Sequence, residues 1–134
     1  SLPVLPASLQ TLNCDKNQLT SLPSLPSSLT QLVSSENPLK KLPTLPAGLI
    51  VLFCQKNSLT NLPELPATLK KLGCDSNNIT VIGSLPTTLQ NLSCGYNPLS
   101  CLPIMPSGSK TLFVDRASGI TCINDYPDSL NIYS

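Results

Sequence analysis

The side chains with reactive potential in this 134-residue chain are six cysteines, two of them directly followed by aspartate: Cys14-Asp15 and Cys74-Asp75. Cys54, Cys94, Cys101 and Cys122 complete the set. A thiolate can attack an electrophile or bind a soft metal, but either task needs a partner that lowers its pKa or shares the ion. The chain contains no His. Ser-His-Asp and Cys-His pairs and His-ligated metal sites therefore cannot be assembled from it. A formal charge of +1 supplies no field for nucleic acid or an anionic membrane. The inventory argues against an enzyme and calls for no cofactor.

Whether the thiols converge depends on what positions them, and here the sequence is explicit. Written in rows of twenty from Ser1, it repeats six times without insertion through Ile120. Each row carries an aliphatic residue at row positions 2, 5 and 19, Pro at 6, Leu at 9 and 12, and Asn at 17. The exceptions, Ser109, Ala117 and Gly119, all fall in the sixth row, which reads as an end. Residues 1–134 are thus expected to form a single domain of six repeats (1–120), closed by a degenerate coil over 121–134 in which Tyr126-Pro-Asp-Ser-Leu130 echoes the repeat.

Pro at row positions 3 and 6 removes backbone donors and excludes helix, so that side should be extended or polyproline-like, with Gly83 the exception at position 3. Alternation at positions 12 and 14 predicts a short strand in every row, near residues 10–14, 30–34, 50–54, 70–74, 90–94 and 110–114. The fold class is a mainly β repeat solenoid with little or no helix. The longest apolar run, Leu49-Ile-Val-Leu-Phe-Cys54, is far below the roughly 20 residues that cross a bilayer. Ser1 opens directly on the Leu-Pro pattern, with no targeting segment in view.

The phase of the repeat sorts the cysteines. Cys14, Cys54, Cys74 and Cys94 share row position 14, where Ser34 and Val114 fill the other places. A site that takes Cys, Ser or Val is small and enclosed, and a buried free Cys acts there as a compact hydrophobe. Column members about 5 Å apart in a line do not converge as tetrahedral zinc requires. Cys101 and Cys122 lie outside the column, 21 residues apart. One further turn with a single added residue would set them side by side, either as a disulfide that pins the last coil or as two free thiols.

Asn17, Asn37, Asn57, Asn77 and Asn97 form another column, suited to bonding turn backbone through an amide that both donates and accepts. It reads as a structural ladder. Row positions 11, 13 and 15 face away from the core, with position 16 just beyond. They place Val33, Val51 and Phe53 in one apolar cluster, and Phe113 with Tyr96 in a second. Lys71 and Arg116 add charge to the same face. Exposed apolar clusters rimmed by charge mark partner contacts. These seven residues are the candidate partner-binding set. The pairs Lys40-Lys41 and Lys70-Lys71 read as solubilising charge.

The pattern Leu-Pro-x-Leu-Pro-x-x-Leu-x-x-Leu-x-x-x-x-Asn-x-Leu, over residues 1 to about 120, resembles the short bacterial class of leucine-rich repeat. It is similar to the YopM and IpaH group of secreted effectors, and to bacterial surface repeat proteins with Cys at row position 14. The resemblance implies a curved solenoid with a parallel sheet on its concave side. It also implies a non-catalytic protein-binding scaffold, secreted or displayed by a bacterium, or delivered into a host cytosol. A spacer segment of a longer surface or adhesin chain is the alternative. Fold likeness alone transfers no activity. The partner expected is a host or surface protein, not nucleic acid or membrane. Effectors of that group carry a helical hairpin before the first repeat. Here row one starts with Leu2, Leu5, Leu9 and Leu12, so either a preceding segment has been removed or the bare edge strand is expected to meet another molecule, as in self-association.

Overall fold

A computed structural model describes residues 2–114, Cys122 and residues 130–133. Each row makes one coil. The Leu-Pro-x-Leu-Pro stretch runs without helix or strand to a tight turn, closed by the N–H of position 9 on the carbonyl of the position 6 proline: Leu9 on Pro6 at 3.1 Å, Leu69 on Pro66 at 3.0 Å. A three-residue strand follows at positions 11 to 13. The strands are β1 (Thr11–Asn13), β2 (Gln31–Val33), β3 (Val51–Phe53), β4 (Lys71–Gly73), β5 (Asn91–Ser93), β6 (Thr111–Phe113) and β7 (Asn131–Tyr133). They pair in parallel in chain order, residue for residue, so that Leu12, Leu32, Leu52, Leu72, Leu92, Leu112 and Ile132 lie in one row across the sheet. Among the described residues there is no helix, and none long and apolar enough to cross a membrane.

The strands fill the middle three residues of each stretch expected from sequence, and the chain leaves the sheet soon after. Position 16 takes a left-handed conformation in each of the first five rows: Lys16, Glu36, Lys56, Ser76 and Tyr96 have φ between 51° and 54°. Such a φ costs a non-glycine residue roughly 1–2 kcal/mol. It ends the strand and turns the position 16 N–H onto the next coil, as in Lys56 to the Asp75 carbonyl at 2.8 Å.

β7 matches β6 after twenty residues, whereas Cys122 pairs with Cys101 as an isolated parallel bridge after 21. The residue gained before Cys122 is thus given back before Asn131. The echo at Tyr126–Ser129 and the candidate Arg116 lie outside the described residues.

Leucines at positions 9, 12 and 19 close the core. Leu29, Leu32, Leu49, Leu52, Leu69 and Leu89 are wholly buried. Burying each such side chain contributes about 1.5–3 kcal/mol. In row one, Leu2, Leu5, Leu9 and Leu12 are only half-buried, because no coil covers their outer side.

Two side-chain ladders tie the coils together. Asn37 donates Nδ2 to the carbonyls of Ser34 and Ser35 in its own coil and of Cys14 in the preceding one, while its Oδ1 accepts the Leu19 N–H at 3.0 Å. Asn57, Asn77 and Asn97 repeat this arrangement. Asn17 bonds only Cys14 and Asp15 and stays exposed, since no earlier coil is there for it to reach. At the other end position 117 is Ala, and the Leu99 N–H turns instead to the Asn97 carbonyl at 2.8 Å.

The second ladder lies at position 8. Ser28, Thr68 and Thr88 donate their hydroxyls to the position 7 and 9 carbonyls of the coil before. In row six position 8 is Gly108, and the neighbouring Ser109 donates to Leu89 instead, at 3.0 Å. Ser109 departs from the leucine pattern because its hydroxyl does the work of the ladder.

Candidate binding surface on the concave face

Side chains at position 13 stand on the open face of the sheet, and the register lines up Asn13, Val33, Phe53, Gly73, Ser93, Phe113 and Tyr133. The middle of this column is almost without bulk. Gly73 and Ser93 leave a gap bounded by Phe53 on one side and by Phe113 with Tyr133 on the other. The result is a hollow of about 250 Å³, also lined by Lys71, Asn91, Thr111 and Gln55. Three strand spacings separate Phe53 from Phe113, roughly 14 Å. Phe53 leans over Gly73 and shares that cover with Gln55. A β-carbon at Gly73 would meet Gln55 and lie 2.9 Å from Phe53 Cδ1. Glycine is therefore what lets the Phe53 ring lie down.

On its other side Phe53 borders a second depression with Val33, Asp15, Ser35, Glu36, Gln55 and Lys56. Lys56 Nζ approaches Glu36 Oε1 at 3.4 Å. Polar side chains brace the floor. Ser35 donates to Gln55 Oε1 at 2.7 Å, Asn91 Nδ2 to Thr111 Oγ1 at 2.6 Å, and Asp75 Oδ1 accepts from Ser93 Oγ and the Gly95 N–H.

The candidate residues are thus distributed unevenly. Val33 and Phe53 are direct cross-strand partners, and Val51, half-buried beside Lys71, lines neither hollow. Phe113, 38% exposed, shares its hollow with Tyr133 and Phe53, not with Tyr96. Tyr96 is 62% exposed on the left-handed turn after β5. Tyr133, Gly73 and Ser93 escaped the sequence reading. The signal for Tyr133 was its position, twenty residues after Phe113.

With register, ladders and concave face in place, comparison with solved structures is decisive. The chain is 37% identical over its whole length to a Shigella effector leucine-rich repeat domain, with a TM-score of 0.79, and covers 56% of that chain. The chain has the leucine-rich repeat fold. The solenoid is likewise similar to YopM, a leucine-rich effector protein from Yersinia pestis, at 26% identity over 98% of this chain and 46% of the other, with a TM-score of 0.69. YopM from Yersinia enterocolitica WA-314 matches at 26% identity and a TM-score of 0.56, covering 99% of this chain and 44% of that one. The repeat domain therefore spans about half the length of these effector structures. No protein-family model matches it, and neither does any curated protein.

The cysteine column of this leucine-rich repeat is buried at Cys14, Cys54, Cys74 and Cys94. Burial, reinforced by the charge of Asp75, pushes the Cys54 and Cys94 thiols up to about 12. Burial raises Cys74 well above its ordinary value and raises Cys14 too, the latter with help from Asp15. The Cys-Asp pairs thus hold their thiols protonated, the opposite of what a nucleophile needs. Cys54 gives its S–H to the Gly73 carbonyl. At the C-terminal end, Cys101 and Cys122 have Cα atoms 4.9 Å apart with their sulfurs in bonding contact.

Proposed function

We propose that the domain is a non-catalytic protein-binding scaffold that captures a macromolecular partner on its concave face. The observation that carries this reading is the hollow over Gly73 and Ser93, an apolar recess between rings on the open face of the sheet. Aromatic side chains at the edge of a recess are favoured anchors for protein contacts. Nothing in the fold demands Phe or Tyr at position 13, since Asn, Val, Gly and Ser occupy the same column. The likeness to effector structures from Shigella and Yersinia supports a bacterial protein that acts outside its own cell, on a host or surface protein. Partner contacts are assigned to Val33, Phe53, Lys71, Phe113, Tyr133 and, on the flank, Val51 and Tyr96. Arg116 belongs to the same set by its row position alone.

A photo-crosslinking amino acid at Phe113 should trap a partner from host or surface extracts. The same probe at Ile104, exposed on the opposite wall, should not. Phe53→Ala and Phe113→Ala should weaken that capture while leaving the melting temperature near that of the parent. Equal trapping from both walls, or none, would favour a spacer role.

We further propose that Cys101 and Cys122 are joined as a disulfide in the mature protein, so that the strand pairing which carries Tyr133 is fastened at its start. Thiol counting on the denatured, unreduced protein should find four free groups; six would refute the bridge.

A further inference from the structure

We infer that the half of the concave face formed by rows four to six takes an acidic protein segment. One bulky apolar side chain of the segment sits between Phe53 and Phe113, and its carboxylates lie over Lys70, Lys71 and Lys110. This rests on the scaffold reading and adds the chemistry of the partner. Lys71 lines the hollow itself, at the entry of β4. Lys70 and Lys110 occupy row position 10, directly before β4 and β6, and all three lysines are exposed. Among the described residues none of the three has an acidic partner, and the ion pair there joins Lys56 to Glu36, outside this half.

Asp75, the acid nearest Lys70 and Lys71 in sequence, stands at the far end of the strand and commits Oδ1 to Ser93 and Gly95. At row positions 10 to 16 the first three rows differ: Asp15 and Glu36 balance Lys16 and Lys56 there, and Lys40 and Lys41 stand apart at the row boundary. Over those positions rows four to six carry Lys70, Lys71, Lys110 and Arg116 against Asp75 and Asp115, whereas rows one to three are neutral, so the excess of positive charge lies on the side of the recess.

The two features act on one ligand in different ways. Transfer of an apolar side chain into the recess supplies affinity, since the rings and the bare strands at Gly73 and Ser93 lose contact with water. Exposed lysines supply little net affinity. They speed and orient the encounter, with a strength that falls as salt rises. Three lysines without a phosphate-cradling loop are a poor match for nucleic acid, whose binding scales with the number of phosphates neutralised. An apolar recess adds nothing to that interaction.

The test is selection of a random peptide library on the immobilised domain, followed by affinity measurement of the enriched sequences. Enrichment of Asp and Glu around a Phe, Leu or Trp is expected. Replacing that anchor by Ala should weaken binding at least about tenfold, as loss of a fully buried large side chain does. Raising salt, or the double change Lys71→Glu and Lys110→Glu, should also weaken it by about tenfold, while denaturation of the variant stays that of the parent. Enriched peptides that need Phe113 but are neutral or basic would overturn the charge assignment and leave the concave-face scaffold standing. Peptides indifferent to Phe53→Ala and Phe113→Ala, or no enrichment at all, would overturn both. Displacement by nucleic acid with no dependence on the anchor would overturn this inference in favour of a polyanion site.

Discussion

The backbone N–H of Leu59 is held by the side-chain oxygen of Asn77, 3.0 Å away and one coil further along the chain. The same amide donates to Cys54 in the preceding coil and to Cys74 and Asp75 in its own. One side chain thus satisfies four backbone groups, of which water reaches none easily. Asn77→Ala should cost about 2–4 kcal/mol, since each stranded buried group forfeits roughly 1–3 kcal/mol less whatever the backbone recovers. Asn17→Ala, exposed and with two bonds, should cost under about 1 kcal/mol. Urea denaturation of the two variants measures the contrast, and equal losses would refute the inter-coil account.

The hydroxyl ladder at position 8 is missing a rung at Gly48. A β-carbon there meets nothing closer than the Ser27 carbonyl at 3.9 Å, and Thr68 and Thr88 show the bonds a hydroxyl would make. Gly48→Thr should stabilise the domain by about 1 kcal/mol through the new bonds and the stiffer unfolded chain. Gly108→Thr should gain less, because Ser109 already donates to Leu89. The ranking of the two melting temperatures checks this.

Ser34 occupies the cysteine column fully buried, and its hydroxyl has no partner among the described residues. Cysteine fits the equivalent site four times. Ser34→Cys should therefore raise stability by about 1 kcal/mol, by removing an unmet hydroxyl at nearly constant shape. An unchanged or lower denaturation midpoint would show that the oxygen is satisfied in solution.

Alkali should weaken the fold through the same column. In the unfolded chain these thiols titrate near their ordinary value of 9.0, whereas Cys54 and Cys94 in the folded chain hold their protons to about 12. Between those limits the unfolded state releases protons that the folded state keeps. Stability is intact below pH 9 and falls as pH rises, by about 1.4 kcal/mol per unit for each thiol. Denaturation midpoints at pH 8, 9 and 10 should trace that decline. Cys54→Ala with Cys94→Ala should flatten the slope, whatever the variant does to stability at pH 7.

The sequence makes the coil period, the parallel register and the asparagine column legible, because each repeats with fixed phase and each has one physical solution. The left-handed turn at position 16 is hidden. Lys, Glu, Lys, Ser and Tyr carry no turn signal, and only the surrounding hydrogen bonds force the conformation. The hydroxyl ladder is obscured by Gly48 and by the Gly108-Ser109 exchange. On the concave face the Val33–Phe53 contact follows from neighbouring rows, but the hollow over Gly73 and Ser93 does not. It arises from what is absent at Gly73 and Ser93 and from rings three coils apart, whereas a residue-by-residue scan finds bulk and overlooks gaps. Tyr133 was missed because the last coil lacks the Leu-Pro stretch that marks the others.

Because each asparagine completes the coil before it, the molecule matures in one direction. As the polypeptide leaves the ribosome, the Leu19 amide must wait for Asn37, and Leu39 for Asn57. A nascent chain halted at any point therefore has one unfinished layer at its growing tip. Each coil can close its last backbone donor only after the following row has been synthesised.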